Sequence, residues 1–139
     1  MAFNLQIKNM IADHFHSYIT AQSSVTSLVS TRIYPVILPQ KPTYPCVTFR
    51  EDSHEIGETF DGQSGPTDSY YQVDAWAKTY AEATSIGNAI RSALQNTTGS
   101  FGGINIHKCI VETGPLIFYE DDVEAYRSSH LFLISHNEG

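Results

Sequence analysis

The stretch Ser69–Leu94, SYYQVDAWAKTYAEATSIGNAIRSAL, changes period once, and that change decides the fold. Its first part alternates, with Tyr71, Val73, Ala75 and Ala77 on one side and Tyr70, Gln72, Asp74 and Trp76 on the other. A period of two marks a strand whose faces meet different surroundings. From Thr79 the period lengthens. Thr79-x-x-Glu82 reads as a capping box, which satisfies orphan backbone donors at a helix start. Ala83, Ile86, Ile90, Ala93 and Leu94 then form one apolar stripe that runs to about Gln95. The small residues Ala83, Gly87 and Ala93 predict close packing of this helix on the sheet. Gly99, Gly102 and Gly103 are expected to end it and turn the chain.

Upstream, Cys46 to Asp52 alternates again, with Val47 and Phe49 opposed to Thr48 and Arg50. Residues 53–68, SHEIGETFDGQSGPTD, are rich in turn formers and read as a long hairpin loop between the two strands. Pro35, Pro39, Pro42 and Pro45 stand within eleven residues, so 32–45 is expected to be a stiff extended connection. Before it, Ile7, Met10, Ile11, Phe15, Tyr18 and Ile19 recur at helical spacing. Ser23–Val29 predicts a short second helix capped by Ser or Thr.

Downstream, simple alternation places Ile104, Ile106 and Ile110 on one face and His107, Cys109 and Val111 on the other. Gly114-Pro115 interrupts, and Leu116–Tyr119 is either a continuation or the near side of a turn. The acidic tip Glu120-Asp121-Asp122 leads into a last strand, Val123–His136, whose Leu131–Ile134 run is continuously apolar, as where both faces are covered. The expected fold is α+β: a mainly antiparallel sheet of about four long strands with two main helices packed on it.

A chain of 139 residues fits one domain spanning 1–139. Its net charge is −7, and the eight Lys and Arg are scattered singly. A protein that grips nucleic acid clusters its bases to displace counterions, so composition speaks against that class. It does not speak against a wall that nucleic acid slides past. No basic region followed by an apolar run opens the chain, and no run approaches a membrane span, so synthesis in a cytoplasm is expected. The two cysteines, Cys46 and Cys109, fall in apolar strand contexts and form no disulfide framework, although one bond between them is conceivable.

The residues offer little chemistry. His14 and His16 are two apart and point to opposite sides of a helix, whereas helical metal pairs need i and i+4 spacing. His130 and His136 are too far apart on one strand to share an ion. Glu120-Asp121-Asp122 matches no calcium loop and reads as a solvated tip. Gly99–Gly103 follows a helix, whereas a phosphate cradle precedes one. There is no Gly-x-Ser-x-Gly elbow. No catalytic, metal-binding or cofactor-binding residue is assigned, and no cofactor is expected.

Three stretches together resemble a phage protein family. The first runs from Val25 through Arg32-Ile33-Tyr34-Pro35 to Tyr44-Pro45-Cys46-Val47-Thr48-Phe49. The second is Tyr71-Gln72-Val73-Asp74-Ala75-Trp76-Ala77-Lys78-Thr79-Tyr80 and the following helix. The third is Tyr119-Glu120-Asp121-Asp122 with Tyr126-Arg127 and the closing strand. They are similar to the tail-completion (tail-terminator) proteins of long-tailed phages and prophages. That resemblance implies a structural virion subunit without an active site. It implies a ring, commonly a hexamer, that caps the head-proximal end of the tail tube and joins tail to head.

The implied partners are further copies of the chain, the tail-tube protein and a head-completion or connector protein, with DNA only passing through the lumen and no membrane. The implied location is the host cytoplasm during assembly and the virion afterwards. On this reading the 53–68 hairpin is either an arm that touches a neighbour or a solvated loop, and Phe60 and Asp61 in it are candidate oligomer-interface residues. Tyr70, Trp76, Tyr126 and Phe132 are read as facing away from the Val/Ala core. They supply either an interface, where aromatics are enriched, or a second core layer. Tyr70, Trp76 and Tyr126 join the candidates. Rival expectations are a head–tail connector, a tail-tube subunit, or a small ligand-binding or enzymatic α+β domain.

Overall fold

A computed structural model describes residues 11–58, 64–101 and 104–136. Within them the helices are α1 (Ile11–Thr20), α2 (Ser23–Val29) and α3 (Tyr80–Leu94). The strands are β1 (Ile33–Pro35), β2 (Cys46–Glu58), β3 (Ser64–Ala77), β4 (Gly99–Phe101), β5 (Ile104–Glu120) and β6 (Ala125–His136). They form one sheet in the order β1-β2-β3-β6-β5-β4. The four long strands are antiparallel, and β1 alone runs parallel to its neighbour β2. The α+β expectation and its four long strands hold. Two short edge strands are additional. Ile7, Met10, Phe60 and Asp61 lie outside the described residues.

One face of the sheet carries the core. Phe15 and Ile19 of α1, Val25 and Val29 of α2, and Ala83, Ile86, Ile90 and Leu94 of α3 are all buried. They meet Val47, Phe49, Tyr71, Val73, Phe132 and Ile134 of the central strands. Phe15 is the keystone: its ring stacks on Tyr71 at 4.9 Å and tilts against Phe49 at 5.1 Å. Burying each such ring contributes roughly 2–3 kcal/mol by transfer alone. The Tyr18 hydroxyl donates to the Ala93 carbonyl at 3.1 Å and ties α1 to the end of α3.

The α3 signals locate its start, with one of the two capping-box bonds formed, and are read differently at its end. Thr79 Oγ1 accepts from the Glu82 amide at 3.1 Å, as the capping box requires. The residue that turns left-handed after the helix is Asn96, at φ 63°, and not a glycine. Asn is the usual alternative there because its short side chain tolerates that region. Its amide donates to the Cys109 carbonyl at 2.7 Å, so helix end and β5 are fastened together. At α2 the N-cap is Gln22 with no side-chain cap, against the expectation of Ser or Thr.

Two strand readings need correction, and a third alternative is settled. Residues 53–58 and 64–68 are not loop: β2 and β3 continue their ladder through Glu58↔Ser64, with bulges between Glu51 and Ser53 and between Ile56 and Glu58. Turn-forming composition misleads here because Ser, Thr and Asp can also fill ladder positions when the partner strand supplies the backbone hydrogen bonds. In β5 an irregularity between Ile106 and Lys108 flips the parity, so Cys109 rather than Ile110 joins Ile104 and Ile106 in the core. Leu116–Tyr119 is a continuation of β5, and the turn is residues 121–124.

Candidate assembly surface

Among the described residues the second face of the sheet carries no helix, and its polar groups gather around Arg127. Cross-strand pairs Thr48↔Asp74, Trp76↔Arg127 and Phe118↔Arg127 set its rows. Arg127 lies between two rings, with its guanidinium carbon 4.6 Å from the Phe118 centroid and 5.7 Å from that of Trp76. It donates to Glu120 Oε1 through Nη2 at 2.9 Å and Nε at 3.2 Å, and approaches Asp74 Oδ2 at 3.6 Å. Asp74 accepts twice from Gln72 Nε2, and Gln72 Oε1 accepts from Arg50. Trp76 Nε1 donates to Thr48 Oγ1 at 2.9 Å. The result is a continuous polar chain across β2, β3, β6 and β5. A planar guanidinium suits this place because it stacks on rings while its edge serves carboxylates.

The sheet's two lateral edges are unlike. On one side β1 covers only Val47–Phe49 of β2. There the chain leaves in a tight turn: Val36 has φ 70°, and the Ile37 amide donates to the Pro35 carbonyl at 2.8 Å. A β-branched residue at positive φ is strained. Val36 and Ile37 nevertheless project into solvent, 63% and 73% exposed. On the other side β4 covers only Ile104–Ile106 of β5, and the end of α3 covers Cys109 and Val111. Beyond them Leu116, Phe118 and Tyr119 are exposed.

The candidate aromatic residues divide between the faces. Tyr70 and Trp76, both half-buried, lie on the helix-free face as expected. Phe132 does not: it pairs with Tyr71 and is fully buried in the core. Tyr126 pairs with Ala77 on the helix side, where it meets Tyr80 and Tyr119 edge-on at 6.1 and 5.0 Å. The continuously apolar run of β6 hides its parity, and only the register with β3 reveals it. Arg127, Asp74 and Phe118 were missed as a unit because their meeting depends on β5 passing through Gly114-Pro115. Glu120 belongs to that unit, while Asp121 and Asp122 are exposed in the turn.

The reactive side chains are occupied by packing. Cys46 and Cys109 are free and buried, and burial pushes their thiols up to about 11 and about 12, far from the thiolate a nucleophile needs. His16 stacks near Phe49, its Nε2 3.3 Å from the Ile33 carbonyl, and His136 Nε2 lies 2.8 Å from Ser69 Oγ. Among the described residues no group of three or more His, Cys, Asp or Glu is placed to hold a metal ion. No described helix is long and apolar enough to cross a membrane.

A helix-backed antiparallel sheet of this outline also occurs in assembled virus-like particles. The fold superposes with a TM-score of 0.68 on a chain from the "Virion of native gene transfer agent (GTA) particle", covering 94% of this chain and 99% of that one at 12% identity. By sequence, no curated protein matches at a significant level. The profile of the family "Tail completion protein gp17" matches residues 16–129. The chain belongs to that family, and it is a structural protein of the phage tail.

Proposed function

We propose that this chain caps the head-proximal end of a phage tail tube and joins the tail to the head, acting there as a closed ring of identical subunits. The family match over residues 16–129 is the observation that carries this reading. The likeness to a virion chain supports it at the level of the fold. Two unlike edges on one sheet suit a ring, in which each subunit offers one patch to the neighbour ahead and another to the neighbour behind. On this reading the chain is made in the host cytoplasm and ends in the virion. It meets the tail-tube protein below and a head-completion protein above, and it takes no part in catalysis. DNA passes through the lumen, and a net charge of −7 suits a wall that does not hold phosphates.

Deletion of the gene tests the assignment. Filled heads and unjoined tails of uneven length are expected, and adding the purified protein restores uniform tails and infectious particles. Long tubes grown from this protein alone would make it a tube subunit. Normal particles in the deletion strain would remove it from tail assembly.

A further inference from the structure

Five of the seven large hydrophobic residues that the described structure exposes lie on the two lateral edges: Val36 and Ile37 on one, and on the other Leu116 and Phe118 toward the helix-free face with Tyr119 toward the helix side. Exposed apolar side chains gathered at one place, and not scattered, mark a contact surface. The strained turn adds a second sign. Strain in a solvent-facing loop persists when something else selects the conformation, and it gathers at sites of recognition.

Both patches stand at the same level of the sheet. The Val36 amide donates to the Phe49 carbonyl, so the projecting turn sits beside the row Phe49–Val73–His130. Following that row across the sheet leads to the Gly114-Pro115 irregularity, since Thr113 pairs with Leu131 and Leu116 with Ser129. Leu116 is thus directly across the sheet from the turn. Charge is complementary as well. Residues 36–45 carry Lys41 and no acid, while Asp121, Asp122 and Glu124 stand in the turn at the end of β5, beyond Glu120, which Arg127 already holds.

We propose that the Val36–Ile37 turn of one copy seats on the Leu116–Phe118–Tyr119 edge of the next, with Lys41 facing the acidic end of β5. The proposal rests on the ring reading above and names its junction. Two patches at one level displace the next copy along the rows and not along the strands. Repeated about an axis parallel to the strands, that displacement closes into a ring, whereas a component along the strands would wind a filament. The junction is made by side chains and not by a shared backbone ladder. Pro115 lacks an amide hydrogen and the β5 register breaks around it, the usual ways in which an edge is kept from adding strands.

Cysteine pairing tests the contact, because Cys46 and Cys109 are buried and do not compete. A chain carrying both Ile37→Cys and Leu116→Cys should give a ladder of disulfide-linked multimers under mild oxidation, while each single variant stays monomeric. Ile37→Asp and Leu116→Asp change exposed residues, so the Tm of the monomer should stay put while ring formation is lost. Mixing these two variants leaves one intact junction per pair and should yield dimers and nothing larger. Efficient dimers of either cysteine variant alone would mean a two-fold contact and overturn the proposal. So would wild-type rings, seen by electron microscopy, from a chain whose double-cysteine form gives no ladder. That outcome would leave the ring standing with a different junction. A wild-type chain that stays monomeric alone and on tail tubes would overturn ring and junction together.

Discussion

The patch beneath α3 and the patch around Arg127 on the opposite face treat their polar residues in opposite ways. On the helix side, His130 and Ser128 lie buried beneath α3, and neither ring nitrogen of His130 nor Ser128 Oγ has a hydrogen-bond partner among the described residues. Gly87 of α3 makes room: a Cβ there would collide with Ser128 Oγ and come 3.3 Å from His130 Cε1. On the helix-free side, Arg127 is stacked, hydrogen-bonded and ion-paired. A titratable group can enter a tightly packed layer only in its neutral form, whereas a permanent cation needs partners and an edge of solvent. His130 meets the first condition by losing its charge, and Arg127 meets the second by position.

Acid should break this contrast most strongly. Burial, and secondarily the charge of Arg91, hold the His130 pKa down at about 4. Below about 6.5 the unfolded chain takes up a proton that the folded chain refuses until about 4. The contribution is therefore present in full above 6.5, is lost as pH falls to 4, and amounts to about 3 kcal/mol at 1.36 kcal/mol per pKa unit. His130→Leu keeps the volume without the ring nitrogens. Urea titrations between pH 7 and 4 should show a shallower loss for this variant, with stability at pH 7 equal to wild type or higher. An unchanged slope would mean that His130 is charged or partnered in the fold.

Arg127 should give the next effect. Arg127→Met retains the stacked length but removes the charge, leaving Asp74, only 8% exposed, with Gln72 as its remaining partner. A loss of about 2 kcal/mol is expected, less than for a fully buried pair because part of the group reaches solvent. Asp74→Asn in the same chain should recover part of it, and Arg127→Lys should not restore the wild type, since an ammonium cannot stack and bridge at once. Additive losses in the double variant would show that the two side chains do not interact.

The same contrast separates what was legible from what was not. The core face is written locally: Tyr71, Val73, Ala75 and Ala77 alternate, and Ala83, Ile86, Ile90 and Leu94 recur at helical spacing. Burial of an apolar face leaves a period that a single segment displays. The helix-free face depends on register. Arg127 and Phe118 belong to different strands, and between Phe118 and the legible start of β5 lie irregularities at Ile106/Lys108 and around Gly114-Pro115. Trp76 could be placed because it shares a strand with an obvious core stripe; Tyr126 and Phe132 could not, because β6 is apolar on both sides. Val36 and Ile37 carry no periodic signal at all, and their exposure follows from a turn at positive φ that no sequence pattern displays.

The smallest effect is expected where neither face is involved, at the start of α3. Thr79 Oγ1 satisfies the Glu82 amide, one of the orphan donors of the first turn. No reciprocal bond from the Glu82 side chain to Thr79 is formed among the described residues, so the box is half closed. Thr79→Ala should therefore cost about 1 kcal/mol, the usual worth of a side-chain cap, and Thr79→Ser close to nothing. Glu82→Gln should cost only a few tenths of a kcal/mol, the dipole contribution of an acid in the first turn. Thermal unfolding at low and high salt distinguishes the two, because screening removes the Glu82 effect and leaves the Thr79 effect in place. A loss for Glu82→Ala equal to that for Thr79→Ala would mean that the box closes fully in solution, since Gln could still make the reciprocal bond. Both substitutions should leave the pH profile of His130 unchanged, since α3 would still lie over it at its Gly87 contact.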